Sequence, residues 1–446
     1  MIEDKFVEVE APWQPTNIKS WQFTQIKHHY KITLGKMLQN SAQSLEDMEV
    51  PYLKAQHIQW DNVLTEQLPT MWASPWEIEM LQVRKGDLLV CEGGEAGRAV
   101  IVSNEPPINC IIQNALHLVR STQTGDVHFL RYLLLHTASH EWLDVICNKA
   151  TIAHFTVEKF SQMWIWLPPL SEQRAIANYL DHETAKIDTL ISDKERLLDL
   201  LTEKRRALIT DAVTHGLNPT IPLWNSGFEW LGKIPQHWNV KRIKFLIFGI
   251  DTGFSPQCYN FPAQEREWGV LKTGCVNGGI FNPQENKTLP PEIEPPLELE
   301  VKKDDILMSR ASGSTDLIGS VGLVQNQPSE RLLLSDKIFR LKLNTEICDA
   351  KFFVITMGSF IVRQQILQFV SGAEGLANNI AQSDIRELLF PVPLMEEQIK
   401  IVSFVEEKTS KIDKLSHAAV MTIDYLHERR AALITAAVTG QIKVTA

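Results

Sequence analysis

The chain of 446 residues is long enough for two or three domains, each with its own core. Its composition, 44% apolar and 22% charged, is typical of an ordinary globular protein, and no run approaches the roughly 18 apolar residues that cross a bilayer. The net charge of −10 argues against non-specific binding to nucleic acid, although a local basic face would still allow a specific complex.

The N-terminus and the cysteines predict a cytoplasmic protein. Met1–Lys5 has no basic segment followed by an apolar stretch, so we expect no signal peptide. The six cysteines, at positions 91, 110, 147, 258, 275 and 348, include no Cys-x-x-Cys pair. This spacing argues against a zinc site and a disulfide framework, and it favours a reducing compartment. We therefore expect no metal and no membrane association.

The first predicted element is a mixed α/β domain over residues 1–170, because short strand-like runs alternate there with Gly, Pro and Asn. Residues 218–392 repeat this domain weakly: Trp21–Lys27 matches Trp238–Lys244, and Lys85–Val90 matches Lys303–Met308. The loops of the two copies carry different residues. Two related frames with different loops indicate two different recognition tasks.

The second predicted element is a long helix that also occurs twice, over residues 171–217 and 393–446. Residues 168–217 and 393–442 are identical at 20 of 50 positions without a gap. An apolar 4-3 spacing is sustained over about five heptads, which favours a coiled coil. The apolar positions that we assign to its seam are Ile176, Leu180, Ile187, Leu190, Leu197, Leu201, Ile401, Val405, Ile412, Leu415 and Leu426.

We expect the two helices to pair antiparallel about a local two-fold axis, which would bring Glu183 near Arg429. About 36–40 helical residues would form a bar of roughly 55–60 Å. The predicted fold is therefore α+β and pseudo-two-fold symmetric, with two mixed α/β domains separated by an antiparallel coiled coil. The alternative, in which each helix is only a core helix of its own domain, stays open.

Motifs for catalysis are missing from the sequence. Asn282-Pro283-Gln284 is the nearest approach to the Asn/Asp-Pro-Pro-aromatic loop of amino-methyltransferases, and it fails at the third position. We found no Gly-x-x-x-x-Gly-Lys-Ser/Thr phosphate loop. We therefore expect a protein without catalytic residues of its own.

The run Leu167–Ala177, followed by Lys186-Ile187-Asp188, resembles the specificity subunit of type I restriction–modification systems. Trp230–Pro235, followed by Trp238, carries the same resemblance, which spans nearly the whole chain. One departure is that Val9–Trp13 replaces the Trp-Leu-Gly-x-Ile-Pro run in the N-terminal copy, and this leaves the start of the first target domain open.

The resemblance implies that residues 1–170 and 218–392 are target-recognition domains, each reading one half of a split DNA sequence. It implies that the helices fix the spacer and dock two modification subunits, which hold S-adenosylmethionine and methylate adenine. Separate motor-nuclease subunits would join for restriction. In this family the specificity subunit itself catalyses nothing.

Loop residues that could read bases or contact phosphate are of the types that donate or accept hydrogen bonds in the major groove. In the first domain we select Lys54, Gln56, His57, Arg98, Lys149 and His154. In the second domain we select Lys272, Asn277, Ser309, Arg310, Ser312, Ser314, Asn378 and Asn379.

Two other functions stay open at this stage. One is a DNA methyltransferase with diverged motifs, which would bind S-adenosylmethionine alone. The other is a coiled-coil adaptor without sequence-dependent DNA binding. The sequence gives neither the bases that are read nor the length of the spacer.

Overall fold

The computed structural model describes residues 13–14, 20–147, 154–370 and 378–444. Internal contacts divide the chain into two units, residues 1–194 with 420–446, and residues 195–419. Each unit contains one mixed α/β domain together with segments of both long helices. The four-part division drawn from the sequence stays a prediction.

The domain of the first unit is built on a four-stranded antiparallel sheet and a smaller three-stranded sheet. The larger sheet has the strand order Tyr30–Leu34, Leu116–Ser121, Leu88–Cys91, Ala99–Ile101. The smaller sheet has the order Thr70–Ala73, Met48–Leu53, Ile111–Ile112, and its last strand is parallel to the central one. Gln22–Gln25 pairs with Trp164–Leu167 in a separate ribbon. The helices are Pro75–Leu81, Val127–Ser139, Trp142–Ile146 and Val157–Gln162.

The domain of the second unit repeats this topology strand for strand. Its larger sheet has the order Ile247–Thr252, Ile338–Leu343, Ile306–Ser309, Val321–Leu323. Its smaller sheet has the order Asn286–Thr288, Trp268–Leu271, Arg331–Leu333, again with the last strand parallel. The ribbon pairs Asn239–Arg242 with Leu389–Val392. Two short pairs are additional, Leu223–Asn225 with Lys233–Pro235 and Ala311–Ser312 with Asn378–Asn379. The helices are Ala350–Met357, Phe360–Phe369 and Gln382–Glu387.

The two long helices cover Leu170–His215 and Met395–Val438. Among the described residues no single helix is long and apolar enough to span a membrane. The bent pair Ala350–Met357 and Phe360–Phe369 meets that criterion jointly, by length and composition only. Phe352, Phe353 and Ile366 of this pair lie in the buried core of the second unit.

A buried glutamine fixes the first turn of each long helix to its domain. Gln173 accepts a hydrogen bond from the backbone N–H of Asp126 (2.7 Å) and donates to the carbonyls of Thr124 and Pro168 (2.9 and 2.8 Å). Gln398 is its repeat equivalent. It accepts from the N–H of Asp349 (2.8 Å) and donates to two carbonyls at 3.0 and 2.9 Å. Both side chains are fully buried, so every polar atom of each amide is used inside the protein.

A tryptophan makes the second half of this joint. The Trp21 indole donates to Glu172 Oε1 at 3.1 Å, and the Trp238 indole donates to Glu397 Oε2 at 3.0 Å. Trp21 and Trp238 are 4% and 2% exposed. The repeated Glu-Gln dipeptide at the start of each long helix therefore serves to attach that helix to its domain.

The seam of the long helices follows a 4-3 spacing, but in a different phase from the one we predicted. In the first helix the least exposed positions of this spacing are Gln173, Ala177, Leu180, Thr184, Ile187, Ile191, Lys194, Leu198, Leu201, Arg205, Leu208 and Ala212. Adding 225 to these numbers gives the same set in the second helix, with Ile412, Ala419, Ile423 and Leu426 among them.

Three predicted seam residues are therefore wrong. Leu190, Leu197 and Leu415 are 47%, 36% and 56% exposed, because the neighbouring positions turn inward in their place. The other predicted positions are buried: Ile176, Leu180, Ile187, Leu201, Ile401, Val405, Ile412 and Leu426. Of these, Ile176 and Ile401 lie in the domain cores.

The helices pack antiparallel within each unit. In the first unit Ile187 and Ile191 pack with Ile423, Leu426 and Leu433. In the second unit Ile209 and Val213 share a core with Ile401 and Val405. Since early residues of one helix meet late residues of the other, the predicted antiparallel pairing is confirmed.

The same ion pair occurs once in each unit. Arg430 donates to Asp188 at 3.0 Å in the first unit, and Arg205 donates to Asp413 in the second. These are the same two positions of the repeat, because Asp188 corresponds to Asp413 and Arg205 to Arg430. Such partly exposed pairs contribute only about 0.5 kcal/mol each, so they act on register more than on stability.

The predicted contact between Glu183 and Arg429 stays a prediction, because the ion pair that Glu183 makes is with Lys186. Lys186, on the same helix at 2.7 Å, is the main cause of the lowered pKa of Glu183, and the charge of Arg429 adds to it.

The phase of the seam can be tested with two neighbouring residues. Ile191 is 8% exposed and Leu190 is 47% exposed. We expect Ile191→Ala to lower the free energy of unfolding by about 2 kcal/mol because it empties a buried position. We expect the matched control Leu190→Ala to change it by no more than about 0.5 kcal/mol. Urea unfolding followed by circular dichroism measures both, and a larger loss at Leu190 would contradict the observed seam.

Candidate nucleic-acid interface

The candidate residues of the first domain lie around the short turn Ala55–His57 and the loop 92–98. Arg98 joins the two, because it donates to the Ala55 carbonyl at 3.1 Å and to Glu95 at 2.8 Å. Its side chain is only 17% exposed. Arg98 therefore braces the turn against the loop, and both ends of its fork are already engaged.

His57 is part of the same brace. It is 6% exposed, and its Nδ1 accepts the backbone N–H of Lys54 at 3.2 Å. Burial, and then the charge of Lys54, lower the pKa of this imidazole. The prediction that His57 contacts a base is wrong in this structure, because the ring faces the interior.

The remaining candidates of the first domain lie nearer to solvent. Lys54 is half-buried, and Gln56 is exposed at the tip of the turn. His154 is exposed next to Gly93 of the loop, and the following residue, Phe155, donates its N–H to the Glu92 carbonyl at 2.8 Å. Lys149 lies outside the described residues. We call the turn 54–57, the loop 92–98 and His154 the first loop cluster.

The candidate residues of the second domain meet at a short antiparallel strand pair. Ser312 lies opposite Asn378, and Ala311 lies opposite Asn379. The pair is continued by a hydrogen bond from Ile380 N to the Arg310 carbonyl at 3.1 Å. The structure therefore brings together residues that are about 66 positions apart in the chain. We call Arg310–Ser314 with Asn378 and Asn379 the second loop cluster.

Arg310 lies half-buried at the base of the second loop cluster. Its Nη1 donates to the Asp336 carbonyl at 3.4 Å, and the guanidinium lies 5.7 Å from the centre of the Phe339 ring. Partial burial acts to raise the pKa of Asp336, but the Ser255 hydroxyl, Lys337 and the charge of Arg310 together lower it. The Asp336 carboxylate therefore stays charged and helps to hold the guanidinium in place.

The serines of this cluster differ in exposure. Ser309 is 1% exposed and its hydroxyl donates to the Ala311 carbonyl at 3.3 Å, so the prediction that it contacts DNA is wrong. Ser312 accepts the N–H of Ser314 at 3.2 Å, and Ser314 itself is exposed.

Lys272 and Asn277 belong to a separate turn. Lys272 is half-buried, and its N–H donates to the Glu285 carbonyl at 2.8 Å. Asn277 is exposed within Thr273–Gly279, which packs against the strand Val321–Leu323.

Sequence reasoning missed the segment 252–255, which supports the second loop cluster through hydrogen bonds. Thr252 accepts from Gln382 at 2.7 Å, and Ser255 donates to Asp336, the residue that holds Arg310. The sequence offers little signal for these contacts, because they join residues 81 or more positions apart. In the part of the chain that the structure describes, no group of three or more His, Cys, Asp or Glu side chains is placed to hold a metal ion.

The known proteins with similar sequences include type I restriction specificity subunits. The family profile of the type I restriction modification DNA specificity domain matches residues 18–198. The chain is 33% identical to the EcoEI specificity subunit of Escherichia coli over 49% of its own length and 36% of the relative. It is 21% identical to the MjaVIII specificity subunit of Methanocaldococcus jannaschii over 99% and 97% of the two chains.

Solved structures agree on the fold. The HsdS subunit from Thermoanaerobacter tengcongensis superimposes with a TM-score of 0.53 at 13% identity, covering 95% of this chain and 98% of that one. A chain from a study of complex assembly and conformational transition in the type I R-M system gives 0.69 at 13% identity, with 96% and 99% coverage.

Residues 18–198 match the model of the type I restriction modification DNA specificity domain, and the chain is similar to type I restriction specificity subunits. It spans 36% of the EcoEI relative and 61% of the EcoKI relative, less than two thirds of either. Its long helices and its two domains of equal topology agree with the fold of these two solved structures.

Acid should loosen the first loop cluster and leave the second unchanged. Burial lowers the pKa of His57 and of His117, whose Nε2–H donates to the Phe155 carbonyl at 2.7 Å. The unfolded chain therefore binds these protons at a higher pH than the folded chain does. The contribution of the two neutral histidines to the free energy of unfolding is complete above about pH 6.5 and is lost as the pH falls below it. Residues 218–392 contain one histidine, His237, which lies far along the chain from the second cluster.

Hydrogen exchange at pH 7.5 and 5.5, corrected for intrinsic rates, measures this difference. We expect lower protection of residues 54–58, 92–98 and 154–158 at pH 5.5, with no change for residues 309–314. His117→Gln keeps a donor for the Phe155 carbonyl without titrating, so it should reduce the effect. An equal change in both clusters would show that the histidines are not its cause.

Proposed function

We propose that the chain is the sequence-specific DNA-recognition subunit of a type I restriction–modification complex. Each mixed α/β domain reads one half of a bipartite DNA site. The observation that carries this proposal is that two domains of the same topology present different side chains at equivalent loops. After the equivalent strands Leu88–Cys91 and Ile306–Ser309 the loops are 92–98 and 310–314, in which Glu95 and Ser314 are exposed, and His154 of the first domain corresponds to Asn379 of the second.

The chemistry of the loop clusters fits base reading in the major groove. Gln and Asn amides match the donor and acceptor of adenine, and an Arg fork matches guanine. Arg310 carries five N–H donors, and the hydrogen bond described for its side chain uses one of them. Hydroxyls and Lys54 suit phosphate contacts, which position a protein without specifying sequence.

The long helices carry the exposed apolar side chains that a docking surface requires. Leu190, Leu415 and Tyr425 are 47%, 56% and 61% exposed, and Leu190 and Leu415 are equivalent positions of the repeat. A repeated apolar position supports two equivalent partners, the modification subunits, with S-adenosylmethionine bound in those subunits. In this proposal the chain itself is not catalytic, and the motor-nuclease subunits join the same complex. Because the chain carries a net charge of −10, we expect weak DNA binding without these partners.

The helices also set the spacer between the half-sites. Removing one heptad from each helix should shorten the coiled coil by about 10 Å, which corresponds to roughly three base pairs. Residues 191–197 and 416–422 are equivalent in the repeat, so deleting both keeps the 4-3 phase of the seam in the two helices.

Methylome sequencing of host cells tests the proposal. Cells with the gene and its modification partners should show a two-part adenine-methylation motif that is lost when the gene is deleted. The double heptad deletion should keep both half-sites and shorten the spacer. A control that deletes residues 191–197 alone breaks the match between the helices, so we expect it to lose methylation.

Three outcomes would contradict the proposal. An unchanged spacer in the double deletion would remove the role of the helices. Methylation by the purified chain alone would indicate an enzyme. Methylation that is independent of the gene would leave the chain as an adaptor without DNA specificity.

A further inference from the structure

Both domains contain a glycine at which the chain lies directly against the backbone carbonyl that follows a neighbouring strand. A Cβ atom at Gly35 would lie 2.2 Å from the Gln113 carbonyl oxygen, and one at Gly253 would lie 2.0 Å from the Leu334 carbonyl oxygen. No other residue fits at either position without moving the backbone. The two glycines follow equivalent strands, Tyr30–Leu34 and Ile247–Thr252.

The backbone at each of these glycines lies near the loop cluster of its own domain. In the first domain Gly35 donates to Leu116 at 3.0 Å, and Ala115 accepts from Glu92 at the start of the loop 92–98. In the second domain Phe254 donates to Leu334 at 3.2 Å, and Ser255 then donates to Asp336, next to Arg310. The segments that follow the glycines are therefore continuous with the candidate interface.

The segments after both glycines combine large exposed apolar side chains with a lack of acidic residues. Residues 36–44 and 254–262 contain no Asp or Glu, although the protein has 54 of them. Met37 and Leu38 are 75% and 48% exposed in the first segment. Tyr259 and Phe261 are 46% and 51% exposed in the second. The segments themselves contribute no carboxylate that would repel a phosphate backbone, and the carboxylates that contact them include Asp47, at Gln39 and Ser44, and Asp336, at Ser255.

Tyr259 and Phe261 form a rigid pair, which we call the aromatic ledge. Their rings are stacked, with centroids 5.6 Å apart and planes within 1°. Tyr259 N donates to the Thr288 carbonyl at 3.0 Å, and Thr288 N donates to the Phe261 carbonyl at 3.0 Å. Lys287, which precedes Thr288 on its strand, is exposed, and its charge acts on the neighbouring Cys258. The ledge is therefore fixed in place before any partner binds, with a cation beside it.

Resting on the proposed DNA-recognition function, we propose that the aromatic ledge is a second DNA-contact element of the second domain. The rings pack against thymine methyl groups in the half-site whose polar contacts come from the second loop cluster. Apolar side chains distinguish thymine in this way without hydrogen bonds. Gln257 lies two residues before Tyr259, and Asn260 lies between Tyr259 and Phe261 in the chain; both are exposed and add amides that suit the paired adenine.

Methylome sequencing of the full complex in cells tests this contact, with the host chromosome as the probe because it presents every sequence. The variant is Tyr259→Ser with Phe261→Ser. The control is Phe248→Ser, since Phe248 is 75% exposed and lies on the strand Ile247–Thr252, before Gly253. We expect the double variant to lower methylation of the wild-type motif roughly tenfold, or to relax A·T positions in one half-site. The other half-site and the spacer should be unchanged, and the control should behave as wild type.

A second variant, Gln257→Glu, keeps the size of the side chain and adds a carboxylate to the acid-free segment. We expect it to lower the methylated fraction while the urea unfolding midpoint of the purified chain stays the same. The inference is overturned if the ledge variant keeps the wild-type motif and fraction, or if both half-sites relax together. Failure of the proposed function would look different, because the wild-type complex would then give no two-part motif at all.

Discussion

The rest of the structure depends on the attachment of each long helix to its domain through one buried amide. Gln173 and Gln398 each satisfy a backbone N–H and two carbonyls that would otherwise be buried without partners. Leaving such groups unpaired costs more than the hydrogen bonds themselves contribute, so the amide allows only one orientation of the helix start. The Trp–Glu bonds beside it limit that orientation further. In the proposed function the loops read DNA, and this joint fixes the orientation of each loop cluster relative to the start of its helix.

Duplication explains why the two units share their internal structure while their surface loops differ. Four features recur in both units: the buried amide at the start of the long helix, the sheet topology, the Asp–Arg pair of the seam and the glycine after the first strand of the larger sheet. Apart from the partly exposed Asp–Arg pair, these features lie inside the units, where packing tolerates few changes. The loops after the equivalent strands Leu88–Cys91 and Ile306–Ser309 lie at the surface, and there residues 92–98 and 310–314 differ in their side chains. The first cluster uses Arg98 as an internal brace, whereas the second uses the Arg310–Asp336 contact. The chain therefore keeps one frame and varies what the frame presents.

The sequence was sufficient for the fold class and for the antiparallel helices, because heptad spacing and the repeat are local signals. Every second position of the predicted seam is one residue too early, as at Leu190 and Leu197. The sequence could not decide there, because the next residues, Ile191 and Leu198, are also apolar. Burial decides between the two phases, and burial depends on tertiary contacts. His57 and Ser309 were selected by residue type, but the folded loops turn them inward. The aromatic ledge gave no signal, because Tyr259 and Phe261 are aligned by Thr288, which lies on a strand 27 residues further along the chain.

The account rests most directly on the amide joint, which urea unfolding can test. In Gln398→Leu the N–H of Asp349 and two carbonyls lose their partner, so we expect the free energy of unfolding to fall by about 3 kcal/mol. Lys400→Leu introduces the same side chain at an exposed position of the same helix and should change it by no more than about 0.5 kcal/mol. Equal stability of the two variants would contradict the claim that this glutamine holds the helix to its domain.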